Sequence, residues 1–299
     1  MTLTVTLRSE NQKMLTFEAL ETLCRGQYWI GTQSINGVFL EINAYDEAQF
    51  GVMILDPTEI SRGIYLMLEE ELSAVTLIMP TPSATNDVTL LLSLIERIAN
   101  HFGTAQFETG NGSISLSNLN ERAEFLYKNS RDMLSMMLNQ ATSESIDIIN
   151  VPGARTPVDI KVSEILTDNP ITTQDAFDER LHAIQNHPAD YPIPQFHNKD
   201  DDSTLIGIIP VYENRETILP LVPPRPYWLA DHFSIVDWVV LFVNHDATQR
   251  YGMFSFESVK TALSLEELPH YDAKNVIAPA LNKSELTELY GQCERVTLQ

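Results

Sequence analysis

Between residues 27 and 80 the chain leaves itself few alternatives to a sheet. Five apolar runs, YWI, VFLEI, FGVMIL, IYLML and VTLIM, alternate there with turn-forming or charged clusters such as residues 34–37 and Asp56-Pro57. Short β-branched and aromatic runs between such punctuation predict strands joined by tight connections, hence an antiparallel meander. A sheet of this kind needs a cover on its apolar face. The next segment supplies it, because Val88, Leu91, Leu92, Ile95, Ile98, Ala99 and Phe102 recur at three- to four-residue spacing before Gly103. That spacing predicts a helix, capped by a side chain between Ser83 and Asn86, packed on the meander.

The flanking segments extend the pattern. TLTVTL alternates like a strand, and Thr16 is placed to cap a short helix with Phe17, Leu20 and Cys24 on one face, ended by Gly26. Gly110-Asn111-Gly112 predicts a hairpin, and a helix follows from Asn118 or Asn120 to about Gln140. Its Met133, Met136 and Met137 are expected to fill an irregular core. IDIINV predicts a strand, and Thr172 or Thr173 begins a helix through Ala176, Leu181 and Ile184 that turns Asp175, Asp178, Glu179 and Arg180 to solvent. Residues 186–203, NHPADYPIPQFHNKDDDS, lack apolar periodicity and read as a long loop or linker.

TLIGIIPVY and ETILPLV then resemble a strand pair, with Pro210 and Pro220 at edges or strand ends. FSIVDWVVLFVN is the most strand-like run, Ser255 heads a short helix, NVIAPAL is extended, and a last helix runs from about Ser284 to Cys293. Runs of strands followed by helices, without regular alternation, predict an α+β fold of largely antiparallel sheets packed with helices. The expected organisation is two sheet-plus-helix halves, 1–150 and 151–299, or one continuous domain.

Charge narrows the partners. The 299 residues carry 41 acidic against 19 basic side chains, a formal charge of -22 divided evenly between those halves. Such a surface repels phosphate backbones and anionic headgroups, which argues against nucleic acid and membranes as partners. No run approaches the ~18 apolar residues of a membrane span. The first residues lack the pattern of a secretory signal, and Cys24 and Cys293 form no disulfide framework, so a reducing cytoplasmic setting is expected. The acidity serves solubility and suits docking onto a basic protein partner.

Chemistry is sparsely marked. The phosphate-cradling glycine patterns, paired zinc spacings and the serine elbow do not occur, and no cofactor is expected. Candidate metal ligands are His187, His197, Asp200 and Asp202, with His182 and Asp201 nearby, since imidazole and carboxylate suit a divalent ion. Their spacing matches no established site, and a solvated loop run is the more common explanation. Candidate catalytic residues are His232, Asp237 and His245, in or beside the apolar strand at 233–244, where an imidazole oriented by a carboxylate acts as a general base. Asp237 is also explained by one solvated sheet face with Trp238 and Val240 turned inward. Arg225 and Trp228, in a proline-rich connection, are candidate binding residues.

The segments YDEAQFGVMILDPTEISRGIY, TPSATNDVTLLLSLIERIANHFG and YGMFSFESVKTAL resemble an uncharacterised bacterial family of about this length. The resemblance implies a bacterial cytosolic origin and carries no activity with it. Together these features predict a non-catalytic acidic protein that binds a partner protein, as inhibitors and immunity proteins do. The alternative is an enzyme or small-molecule binder with its site near 233–244. A third expectation is one subunit of an assembly, with the Met-rich helix at its interface.

Overall fold

The computed structural model describes residues 2–34, 38–48, 51–69, 71–199, 203–223, 225, 233–244, 248 and 250–297. The chain divides into two units, Met1–Asn186 and His187–Gln299. The division falls at the head of the proline-rich stretch 186–203, whereas residues 150 and 151 are neighbours within one strand, Ile148–Pro152.

In chain order the first unit contains β1 (Thr2–Arg8), α1 (Phe17–Cys24), β2 (Trp29–Gln33), β3 (Phe39–Glu41), β4 (Val52–Leu55), β5 (Ile64–Leu68), β6 (Ala74–Pro80), α2 (Thr85–Phe102), β7 (Gln106–Thr109) and β8 (Gly112–Ser115). There follow α3 (Leu119–Ser143), β9 (Ile148–Pro152), β10 (Pro157–Lys161), α4 (Val162–Ile165) and α5 (Pro170–Gln185). The five expected strands are β2 to β6, part of an eight-stranded antiparallel sheet of order β3-β2-β4-β5-β6-β1-β7-β8; β2 lies between β3 and β4, so only β4-β5-β6 form the expected sequential meander. β1 is inserted between β6 and β7, in register from Thr2 opposite Pro80 to Arg8 opposite Ala74. Alternate residues Val5, Leu7, Ile54, Leu66, Val75 and Leu77 bury one face under Val88, Leu91, Ile95, Ile98 and Phe102 of α2. Gly103, at φ 67°, ends that helix in the left-handed region that glycine enters freely.

Three details differ from expectation. The N-cap of α2 is Ala84, which has no capping group; Asp87, three residues on, instead accepts the Ala84 N–H at 3.1 Å. On α3 the core positions are Leu126, Leu134 and Leu138, while Met133 and Met137 are half-buried and Met136 is 52% exposed. Leu126, Ser130, Leu134 and Leu138, four residues apart, own the inward stripe, so the methionines fall beside it. α5 begins at Pro170 under Asn169, whose Oδ1 accepts the Ile171 N–H at 2.9 Å, a turn earlier than a threonine cap.

The second unit contains β11 (Gln195–Asn198), β12 (Thr204–Tyr212), β13 (Thr217–Pro220), β14 (Ser234–Val243), β15 (Arg250–Ser255), α6 (Phe256–Ala262), β16 (Asn275–Ala278) and α7 (Lys283–Tyr290). Its four-stranded sheet has the order β11-β12-β14-β15, with β12 and β14 parallel and the outer pairs antiparallel; β13 pairs with β16. TLIGIIPVY and ETILPLV therefore do not pair with each other. β12 is buried along nearly its whole length, as an inner strand beside a parallel neighbour should be. The expected linker contains β11, an edge strand. Pro210 lies beyond Ile208, where β11 stops, and Pro220 ends β13, so both prolines occupy positions that spare the ladder. Phe242, Phe254 and Tyr290 centre the core, the last two stacked at 4.8 Å.

The architecture is α+β with mostly antiparallel sheets. Among the described residues no helix is long and apolar enough to cross a membrane.

Candidate functional site

Asp237 sits on β14 opposite Ile206, just past a register shift at Leu205/Ile206. β15 pairs with β14 only from Val239 onward, so at Asp237 the strand is still an edge. The carboxylate is accordingly 61% exposed and lies 3.7 Å from Lys199 Nζ. Trp238 turns the other way, edge-on to Phe196, over Gly207, where any Cβ would strike the indole. His232, His245 and Trp228 lie outside the described residues, as do Asp200, Asp201 and Asp202. Arg225 is exposed.

Each described candidate imidazole has its own surroundings. His197 is exposed on β11, and His187 Nδ1 accepts the Ala189 N–H at 3.2 Å while its ring meets Tyr271 edge-on. His182 Nδ1 lies 3.0 Å from the Asn186 side-chain amide on α5. Among the described residues no group of three or more His, Cys, Asp or Glu could hold a metal ion.

The densest buried polar constellation is in the first unit, at the start of α2. Asp87 accepts the Ser61 hydroxyl at 2.6 Å, the Gly63 N–H at 2.8 Å and the Arg62 N–H at 3.2 Å, besides the Ala84 N–H. Burial pushes this carboxyl up, and the Ser61 and backbone donors and the Arg62 charge pull it back. The Arg62 guanidinium, itself buried and pushed down by desolvation, donates to the carbonyls of Pro152 and Pro82. One carboxylate thus ties the loop before β5 to the helix that covers the sheet.

Beside this network, a cleft of about 260 Å3 opens among the first residues of α2, the middle of α3 and the first turns of α5. Ser130 Oγ closes its floor, accepting the Ser83 N–H at 2.9 Å and donating to the Ser83 carbonyl at 2.7 Å. Asp178 Oδ2 accepts the Thr85 N–H at 3.1 Å, so α5 helps to cap α2, and burial pushes the Asp178 carboxyl up. This corrects the expectation that Asp178 faces solvent. Gln174 Nε2 donates to the Ser83 carbonyl at 3.1 Å and to Asp178 Oδ1 at 2.7 Å. Its Oε1 is buried without a partner among the described residues, in a side chain that lines the cleft. An unpaired acceptor of this kind costs about 1–3 kcal/mol. Arg131 and Asp175 also line the cleft, and neither forms an ion pair or hydrogen bond with another described side chain.

Sequence reasoning missed this site because its polar members lie among helical residues that each read as solvated. The one available signal was Asp87, a carboxylate on the third residue of the most regular apolar helix, where it can accept orphan N–H groups.

A family model described as Domain of unknown function (DUF4299) matches residues 3–289. No curated protein and no solved structure gives a significant match.

Proposed function

The chain belongs to this domain-of-unknown-function family, and from that premise we propose that it is a non-catalytic binding protein whose acidic surface docks onto a basic partner protein, in the manner of an inhibitor or immunity protein. The observation that carries the reading is that the acidity recurs in both units, with 25 acidic against 11 basic side chains in the first and 16 against 8 in the second. Exposed carboxylates such as Glu179 on α5 and Glu285 and Glu288 on α7 contribute to that field. A negative field of this extent speeds association with a cationic surface and selects against acidic competitors. We place the protein in the bacterial cytoplasm, where its two widely separated cysteines suit reducing conditions. The test is affinity capture from native extract, followed by association kinetics with the purified partner at rising salt. The association rate should fall steeply; a rate independent of salt overturns the electrostatic reading.

The cleft favours a second reading, small-molecule binding by the first unit. It supports this better than the region around 233–244 does, where Asp237 is solvated and paired with Lys199. A ligand-induced melting screen of the whole chain tests it, and a screen without any stabilising compound removes it.

A further inference from the structure

Resting on the small-molecule reading, we infer that the cleft among α2, α3 and α5 takes a small zwitterion of the α-amino-acid class. At about 260 Å3 the cleft is below the ~300–1,000 Å3 typical of drug-sized ligands, so its occupant is small. Three groups in its wall define the chemistry. Gln174 cannot flip to satisfy its orphan oxygen, because its amide nitrogen is held by two acceptors, the Ser83 carbonyl and Asp178 Oδ1. The oxygen is fully buried, so a donor from outside the protein meets it only as the wall yields slightly on binding. Asp175, one residue further along α5, adds a negative charge to the same wall. An ammonium group, with three donors and a positive charge, answers both.

Arg131, from α3, supplies the opposite pole, a planar fork suited to a carboxylate. A simple anion leaves Gln174 and Asp175 unanswered, and a simple cation leaves Arg131 unanswered. Val88 and Ile171 give the remaining wall an apolar character that accommodates a short side chain.

The test is titration of the whole chain, followed by amide NMR and thermal shift, with L-serine, L-glutamine and glycylglycine as probes and n-propylamine and propionate as half-ligand controls. At least one zwitterion should bind saturably and roughly tenfold more tightly than either control. Arg131→Ala and Asp175→Asn, whose side chains hold no internal bond, should melt like the parent and each lose roughly tenfold in affinity. Gln174→Met should lose binding too, and if it melts early the other two variants decide. Zwitterions that bind no better than the controls, or whose affinity survives both rim substitutions, overturn the inference. If other compounds still shift the Thr85 and Tyr127 resonances, only the ligand class falls; if nothing shifts them, small-molecule binding by this cleft falls with it.

Discussion

Asp87 in the first unit and Asp272 in the second are both 1% exposed, and each gathers backbone N–H groups, Asp87 from a loop far back in the sequence and Asp272 from the turn that follows it. Asp272 accepts the Lys274 and Asn275 N–H groups, each at 2.8 Å, together with the Asn275 side-chain amide, so it closes its own turn. Asp87 reaches Ser61, Arg62 and Gly63, 24 to 26 residues earlier in the chain. A turn of the first kind is a local property of aspartate that forms wherever the next residues allow it. The second kind exists only when sheet, loop and helix are assembled, and removing one partner from the folded state leaves the others buried and uncompensated. The first unit thus adds a long-range polar tie to its apolar core, while the core of the second includes Phe254 stacked on Tyr290.

The comparison is sharpest if the two carboxylates are removed in turn. Asp87→Ala strands Arg62 and four donors and should destabilise the first unit by about 3–5 kcal/mol, followed by chemical denaturation. Each unit carries one cysteine to report it. The Cys24 thiol is buried and pushed up to about 12, so it should resist alkylation until the first unit opens, and Cys293 reports the second. Asp272→Ala removes the acceptor of the Lys274 and Asn275 N–H groups and should destabilise the second unit while leaving the protection of Cys24 unchanged. A loss of Cys24 protection in Asp272→Ala would break the contrast.

A subtler effect is expected from pH. Burial raises the Asp178 carboxyl above its unfolded value, so the folded state holds its proton more tightly. Its contribution is fully present below the unfolded carboxylate range, near ~4, and is lost as pH rises through the raised folded value. Melting of the first unit should therefore gain on mild acidification from neutrality, and Asp178→Asn should flatten that trend. An equal slope in the variant would assign the trend to other groups. The smallest effect belongs to the second unit's surface, where Lys199→Ala breaks only the solvated contact to Asp237 and should stay within about 0.5 kcal/mol by thermal melting.

What the sequence made legible was what short-range periodicity encodes. The strands of the first sheet, with β4-β5-β6 as a meander, the α2 stripe ended by Gly103, the Thr16 cap of α1 and the hairpin at residues 110–112 all emerge as expected, and the α+β class with them, whereas the place of β2 between β3 and β4 does not. The misplaced elements depend on distant partners. β11 looked like a linker because QFHN has no apolar rhythm, and its strand state is imposed by β12. β12 was assigned the wrong neighbour because a parallel pair leaves no turn signal between its members. The cleft was illegible for a related reason. Gln174, Arg131 and Asp175 are residue types that helices ordinarily turn to solvent, and only the packing of α5 and α3 against the start of α2 makes one wall of them.

The insertion of β1 between β6 and β7 has a consequence for synthesis. β1 is made about 70 residues before the first of those partners, and about 100 before the second. At roughly 5–20 residues per second, a translating ribosome leaves this strand with both edges unpaired for about 4–14 s before β6 is even made. Its apolar Val5 and Leu7 spend that interval without the sheet that later hides them. Over that interval β1 offers unpaired edges to other chains, and a holding chaperone that binds it should limit such pairing.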